Sequence, residues 1–214
     1  MLLATAATVI FDSPPVVAAA AFFSFALFWF RHRTYLKAEW SYARLGNGIT
    51  AFRLALLLVV AVSVSDLSSA VIFQLFLVNI LLDVADGYAV RKYGRATEFG
   101  ATFDQETDAF FVLVAGLYFH LEIGHGLWVL IPGLLRYGYR LVGWSLQGRR
   151  LEERRRPLLA VLAGVNFGLI TLAVILPAAS QYGILVLSTG LVTASFSVSF
   201  WELFRHSDDR SSAQ

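Results

Sequence analysis

The sequence predicts an all-α integral membrane protein: a core bundle of six transmembrane helices, preceded by an additional amino-terminal transmembrane or juxtamembrane helix. Three observations predict this class. Of the 214 residues, 57% are hydrophobic and 15% are charged, against about 25% charged in soluble domains. The apolar residues fall in long continuous runs instead of ten-residue alternations, which selects helices over a barrel, the two structures that satisfy their backbone in lipid. The lysines and arginines gather in alternate connections between those runs.

Seven apolar runs follow in order: 14–30, 49–65, 67–82, 109–121, 127–144, 158–177 and 182–204. Each approaches, or with its flanks reaches, the roughly 20 residues of a spanning helix. Ser13 before Pro14 and Pro15 forms a helix start, with serine as cap and proline where a missing N–H is harmless. The stretch 31–45 mixes Arg33, Lys37 and Arg44 with Tyr35, Leu36, Trp40 and Tyr42, a composition suited to the headgroup layer. Gly46-Asn47-Gly48 is expected to end that helix. The chain therefore divides into an amino-terminal segment at 1–45, a membrane domain at 46–204 and a polar tail at 205–214.

Stretches 31–44, 91–95, 149–156 and 205–210 hold 14 of the 17 lysines and arginines, whereas the connections around Asp66, 120–125 and 180–181 hold none. By the positive-inside rule the basic stretches are cytoplasmic, and the amino terminus is outside. The first 13 residues have no basic n-region, so no cleaved leader is expected. The absence of cysteine excludes disulfides, thiolate zinc sites and thiol catalysis. No nucleic-acid motif is present; the basic residues mark a membrane face that also meets anionic lipid.

The chemistry lies in Asp83-Val-Ala-Asp86-Gly87-Tyr-Ala-Val-Arg91 and Gly100-Ala-Thr-Phe-Asp104-Gln-Glu-Thr-Asp108. Asp83 and Asp86 are three apart, Asp104 and Asp108 four apart, so on helices each pair projects from one face. The first pair ends one apolar run and the second begins the next, joined by a short basic cytoplasmic loop. Four such carboxylates repel one another unless a cation joins them. All-carboxylate ligation favours Mg²⁺ or Mn²⁺, and four acids can hold two ions, as in phosphoryl transfer. Gly87 and Gly100 permit close approach of a phosphate to backbone, and Arg91 offers a bidentate fork to a diphosphate.

These residues resemble the signature of the class I CDP-alcohol phosphatidyltransferases, Asp-x2-Asp-Gly-x2-Ala-Arg-x8-Gly-x3-Asp-x3-Asp. Asp83, Asp86, Gly87, Arg91, Gly100, Asp104 and Asp108 match it with every gap of the right length; Val90 stands at the alanine. Upstream, Asn47-Gly-Ile-Thr50-Ala-Phe-Arg53 resembles the family's Asn-x-Leu/Ile-Thr-x-x-Arg element, with Gly46 where proline is common. The resemblance covers about residues 46–204. It implies metal-dependent transfer of a phosphatidyl-type group from a CDP-linked lipid to an alcohol, with release of CMP, and a homodimer. Carried over, Asp83, Asp86 and Asp104 are metal ligands and Asp108 is the general base, with a further contact to metal. Gly87, Arg91 and Gly100, with Asn47 and Thr50, line the CDP site.

Remaining polar residues receive plainer readings. Glu106 is expected to be solvated or paired with Arg91 or Arg95. Arg136 and Arg140 share a helix face; they either snorkel to the interface or bind an acceptor phosphate, which would favour glycerol 3-phosphate or inositol phosphate. His120 and His125 are expected in an exposed loop, and Phe22, Phe23, Phe28, Trp29 and Phe30 as lipid-facing anchors. Rival functions are an intramembrane prenyltransferase, a divalent-cation transporter and a non-catalytic lipid-binding protein. The first spreads its acidic motifs over a larger bundle, and the second has no use for Gly87, Arg91 and Gly100.

Overall fold

In a computed structural model, the described residues are 19, 22–23, 25–26, 44–93, 97–147 and 157–211, without the side chains of 44–45, 89–91, 93, 98, 140–141, 143–147, 157–160 and 202–211. From residue 44 onward they form six α-helices: α1 (Arg44–Val62), α2 (Ser69–Tyr93), α3 (Glu98–Leu121), α4 (Ile131–Gln147), α5 (Pro157–Ala173) and α6 (Ala178–Ser211). A single 3₁₀ turn, Leu127–Leu130, leads into α4. No strand occurs among the described residues.

Two differences from the expected boundaries matter. Gly46, Asn47 and Gly48 do not end a helix; they lie within the first turns of α1. The Gly46 carbonyl oxygen lies 3.1 Å from the Thr50 Oγ1 one turn further along the helix. The proposed juxtamembrane helix before Arg44 lies outside the described residues, as do Phe28, Trp29 and Phe30. In addition, α2 does not stop with its apolar run at Leu82; it continues through Asp83, Asp86 and Gly87 to Tyr93. Hydropathy marks where the apolar surface ends, not where the backbone ladder ends.

α1 packs against both α2 and α3, while α4 and α5 pack on α6. The two groups join through α3, which touches α4, the 3₁₀ turn and α5, and through α2, which also touches α5. Phe76 on α2, Phe111 on α3 and Phe167 on α5 form a tilted aromatic stack with ring centroids 5.0 and 5.1 Å apart. A Cβ on Gly133 would come within 3.2 Å of the Leu113 backbone, so this glycine sets how closely α4 approaches α3. Phe25 is buried against Phe103 and Phe110, whereas Phe22 and Phe23 are exposed as an anchor requires.

Many large apolar side chains lie on the exterior. Val78, Leu81 and Val84 on α2, Val161 and Val165 on α5, and Leu187, Val198 and Trp201 on α6 all face outward. α2 over Ser69–Tyr88 and α6 over Ala178–Trp201 are long and apolar enough to cross a membrane. Only 11% of the apolar window of α6 is buried, unlike the core helix of a soluble protein. α1 and α5 contribute shorter apolar stretches, Gly46–Val62 and Val161–Ala173.

Candidate active site

α1, α2 and α3 place a polar residue every third or fourth position on the faces they turn toward one another. On α1 these are Asn47, Thr50 and Arg53; on α2, Asn79, Asp83 and Asp86; on α3, Asp104 and Asp108. Thr97 fixes the start of α3 by accepting a 3.0 Å hydrogen bond from the Gly100 N–H, an N-cap that sets the phase of both α3 aspartates.

Arg53 stands at the centre. Its Nη1 lies 2.7 Å from Asp83 Oδ1, 2.7 Å from Asp104 Oδ1 and 3.8 Å from Asp86 Oδ2, and its Nη2 lies 2.7 Å from Asp108 Oδ1. Asn79 braces it from α2: the Arg53 Nε donates to Asn79 Oδ1 at 3.4 Å, and Asn79 Nδ2 donates to the Arg53 carbonyl at 3.0 Å. The Arg53 side chain is 1% exposed, while those of Asp83, Asp104 and Asp108 are 31%, 36% and 29% exposed. The guanidinium thus forms a floor and the carboxylates a rim open to solvent. Asp86 is deeper, and its Oδ2 accepts the Thr50 hydroxyl at 2.5 Å.

All four predicted aspartates therefore meet, and Thr50 joins them directly. Four carboxylates against one guanidinium leave a formal excess of negative charge, which a divalent cation would offset. Ligand oxygens of Asp83, Asp104 and Asp108 lie within 4.8 Å of one another. An all-oxygen set of this kind fits Mg²⁺ or Mn²⁺.

Of the predicted CDP-binding residues, Asn47 and Gly100 are neighbours: a Cβ on Gly100 would meet Asn47 Oδ1 at 2.9 Å and Thr97 Oγ1 at 3.1 Å. Asn47 is buried, and its Nδ2 has no partner among the described residues. Gly87 is half-buried on α2, one residue after Asp86, and Arg91 continues the same helix with its side chain outside the described residues.

Arg136 reaches α3 at Gln105 and Glu106. Its Nη2 donates to Gln105 Oε1 at 3.1 Å and lies 3.8 Å from Glu106 Oε1; its Nε is buried and unpartnered among the described residues. Arg136 therefore does not snorkel away from the bundle. Glu106 is 7% exposed, which corrects the expectation of a solvated side chain: the residue between the two aspartates turns to the α3–α4 seam. The Arg140 side chain lies outside the described residues.

The histidines are also not loop residues in solvent. His120 is half-buried with its Nδ1 2.8 Å from the His125 carbonyl oxygen, and the His125 ring sits among Phe119, Trp128 and Tyr182. The positive φ of Gly124, 79°, makes this turn back possible.

The comparison with known sequences decides what this cluster belongs to. The sequence profile of the CDP-alcohol phosphatidyltransferases matches residues 43–201, which take in α1 through most of α6 and every residue of the cluster. The chain belongs to the CDP-alcohol phosphatidyltransferase family. It is 32% identical over 87 residues to a CDP-diacylglycerol–glycerol-3-phosphate 3-phosphatidyltransferase of Wigglesworthia glossinidia brevipalpis, covering 41% of this chain and 47% of that protein. The match thus spans about half the length of that relative. No solved structure is significantly similar to the chain.

Asn79 is the contributor that sequence reasoning missed outright, and Arg53 was placed in a motif without a role. Both were findable. An arginine inside an apolar run needs a partner, and Asn79 lies four residues before Asp83 on one helix face.

Proposed function

We propose that this CDP-alcohol phosphatidyltransferase moves a phosphatidyl group from CDP-diacylglycerol to a phosphorylated polyol, with glycerol 3-phosphate favoured, and releases CMP. The observation that carries the reading is the convergence of Asp83, Asp86, Asp104 and Asp108 on one rim, with the Asn47–Thr50–Gly100 corner beside it. The matched relative's name, which specifies CDP-diacylglycerol and glycerol 3-phosphate, supports the choice of substrates.

Asp83, Asp86 and Asp104 would hold two Mg²⁺ or Mn²⁺ ions, with Asp108 at their edge. When bound, the ions neutralise the donor's diphosphate and make CMP a better leaving group. Asp108 takes the proton of the acceptor hydroxyl at a carboxylate oxygen. The freed oxygen electron pair attacks the lipid-side phosphorus, the bond to the bridging oxygen breaks, and CMP departs with that bond's electrons. The Asn47 Nδ2 offers a buried donor to the nucleotide, Gly87 and Gly100 leave room for it, and Arg91 pairs with a diphosphate oxygen. Arg136, held by Gln105 and close to Glu106 on α3, would take the acceptor's phosphate, with Arg140 one turn further along α4. The aspartate rim would open toward the cytoplasm, the side to which the positive-inside rule assigns the basic connections.

The test is CMP release by purified protein in mixed micelles with CDP-diacylglycerol, Mg²⁺ or Mn²⁺, and one acceptor at a time: glycerol 3-phosphate, inositol phosphate, inositol, serine or choline. Release with glycerol 3-phosphate that stops on chelation is the expected result. Release with serine or choline instead would overturn the assignment of Arg136 and of the acceptor. Release with none would overturn the donor.

A further inference from the structure

We propose that Arg53 is a resident cation that holds the four aspartates together and competes with divalent metal for them, which keeps the metal exchangeable. The inference rests on the reading of those aspartates as metal ligands. It starts from the contrast in exposure between a guanidinium that is 1% exposed and carboxylates that are 29–36% exposed. Arg53 grips one oxygen, Oδ1, of Asp83, Asp104 and Asp108 from below, each at 2.7 Å. This leaves the second oxygen of each carboxylate for another cation.

A divalent ion held by the same three side chains must then sit within a few ångströms of the guanidinium charge. In partly buried surroundings such like-charge repulsion is several-fold stronger than in bulk water. Arg53 cannot escape it by losing a proton, because a guanidinium stays charged. Its side chain is 1% exposed and its Nε donates to Asn79 Oδ1 at 3.4 Å, so solvent gives it no ready alternative to the carboxylates. Each charge-assisted bond that Arg53 keeps is basicity withdrawn from a metal ligand.

A purely structural arginine predicts the opposite sign: without it the aspartates scatter and metal binds less well. The two are separated by Mn²⁺ titration of the metal-depleted, detergent-solubilised full chain, followed by electron paramagnetic resonance of free Mn²⁺. Arg53→Met, which keeps length and removes charge, should bind Mn²⁺ at least about tenfold more tightly, and Arg53→Lys should stay within about threefold of wild type. Weaker binding by Arg53→Met with wild-type binding by Arg53→Lys would overturn the proposal. No Mn²⁺ binding by any form, wild type included, would overturn the metal reading itself. A second measurement stands even if Arg53→Met does not fold. In wild-type protein labelled with ¹⁵N-arginine, the slowly exchanging buried guanidinium resonance assigned by its absence from Arg53→Lys should shift on Mg²⁺ addition. A resonance unmoved at Mg²⁺ concentrations that displace bound Mn²⁺ would contradict competition.

Discussion

The two ends of α3 show opposite ways of placing polar groups in an apolar bundle. At its start, Asp104 and Asp108 join two further carboxylates around one arginine, and negative charge is left over. At its finish, about 27 Å along the axis, single polar contacts replace the carboxylate cluster, and the buried His125 Nε2 has no partner among the described residues. Tyr118 donates to the Ser69 hydroxyl at 2.9 Å, the Ser65 hydroxyl donates to Glu122 at 2.7 Å, and His120 meets the His125 carbonyl. Aromatic rings close the rest, with Trp128 5.5 Å from Tyr182. An end with one carboxylate, Glu122, among its contacts has little to attract a divalent cation. The end with an excess of carboxylate acceptors and an unpartnered Asn47 Nδ2 donor is poised to bind a cation and a hydrogen-bond acceptor.

Substitutions should divide along that line. The largest effect is expected for Asp108→Asn, which should lower the rate of CMP release about 10²–10⁴-fold while CDP-diacylglycerol binding changes less than about twofold; equal loss of both would remove Asp108 from the role of base. Next, Arg136→Gln should raise the KM for glycerol 3-phosphate about 10–100-fold, the worth of a charge-assisted hydrogen bond, with little change in the KM for the donor. A parallel rise in both KM values would show that Arg136 merely supports the α3–α4 seam. Gly100→Ala forces Asn47 aside and should cost about 1–3 kcal/mol in detergent unfolding, with the KM for donor rising alongside; unchanged donor affinity would separate this corner from the nucleotide site. The smallest effect belongs to the far end. Tyr118→Phe should destabilise by about 1 kcal/mol and leave kcat and both KM values as they were, and a loss of activity there would dissolve the contrast between the ends.

Much of the site was legible in the sequence because its aspartates and glycines keep fixed gaps on helices, where spacing converts directly into a shared face. The convergence of Thr50 with Asp86 followed from a second motif of the same kind. What spacing could not convey was the cation at the centre. Arg53 and Asp83 are thirty residues apart, and only the packing of α1 on α2 brings them together. Glu106, expected to be solvated or paired with Arg91 or Arg95, instead lies near Arg136, because α4 covers that side of α3. The helices from 44 to 211 were each expected, but their ends were not. α2 carries its backbone ladder eleven residues past its apolar run, and Gly46-Asn47-Gly48, by composition a terminator, lies inside a helix instead.

The most direct test compares three proteins side by side in one CMP-release assay with CDP-diacylglycerol, glycerol 3-phosphate and Mg²⁺: wild type, Asp108→Asn and Tyr118→Phe. The account requires CMP from the wild type and, at the same rate, from Tyr118→Phe, with Asp108→Asn at background. CMP released by Asp108→Asn at the wild-type rate would contradict it, because the aspartate rim around Arg53 would then not be where the transfer occurs.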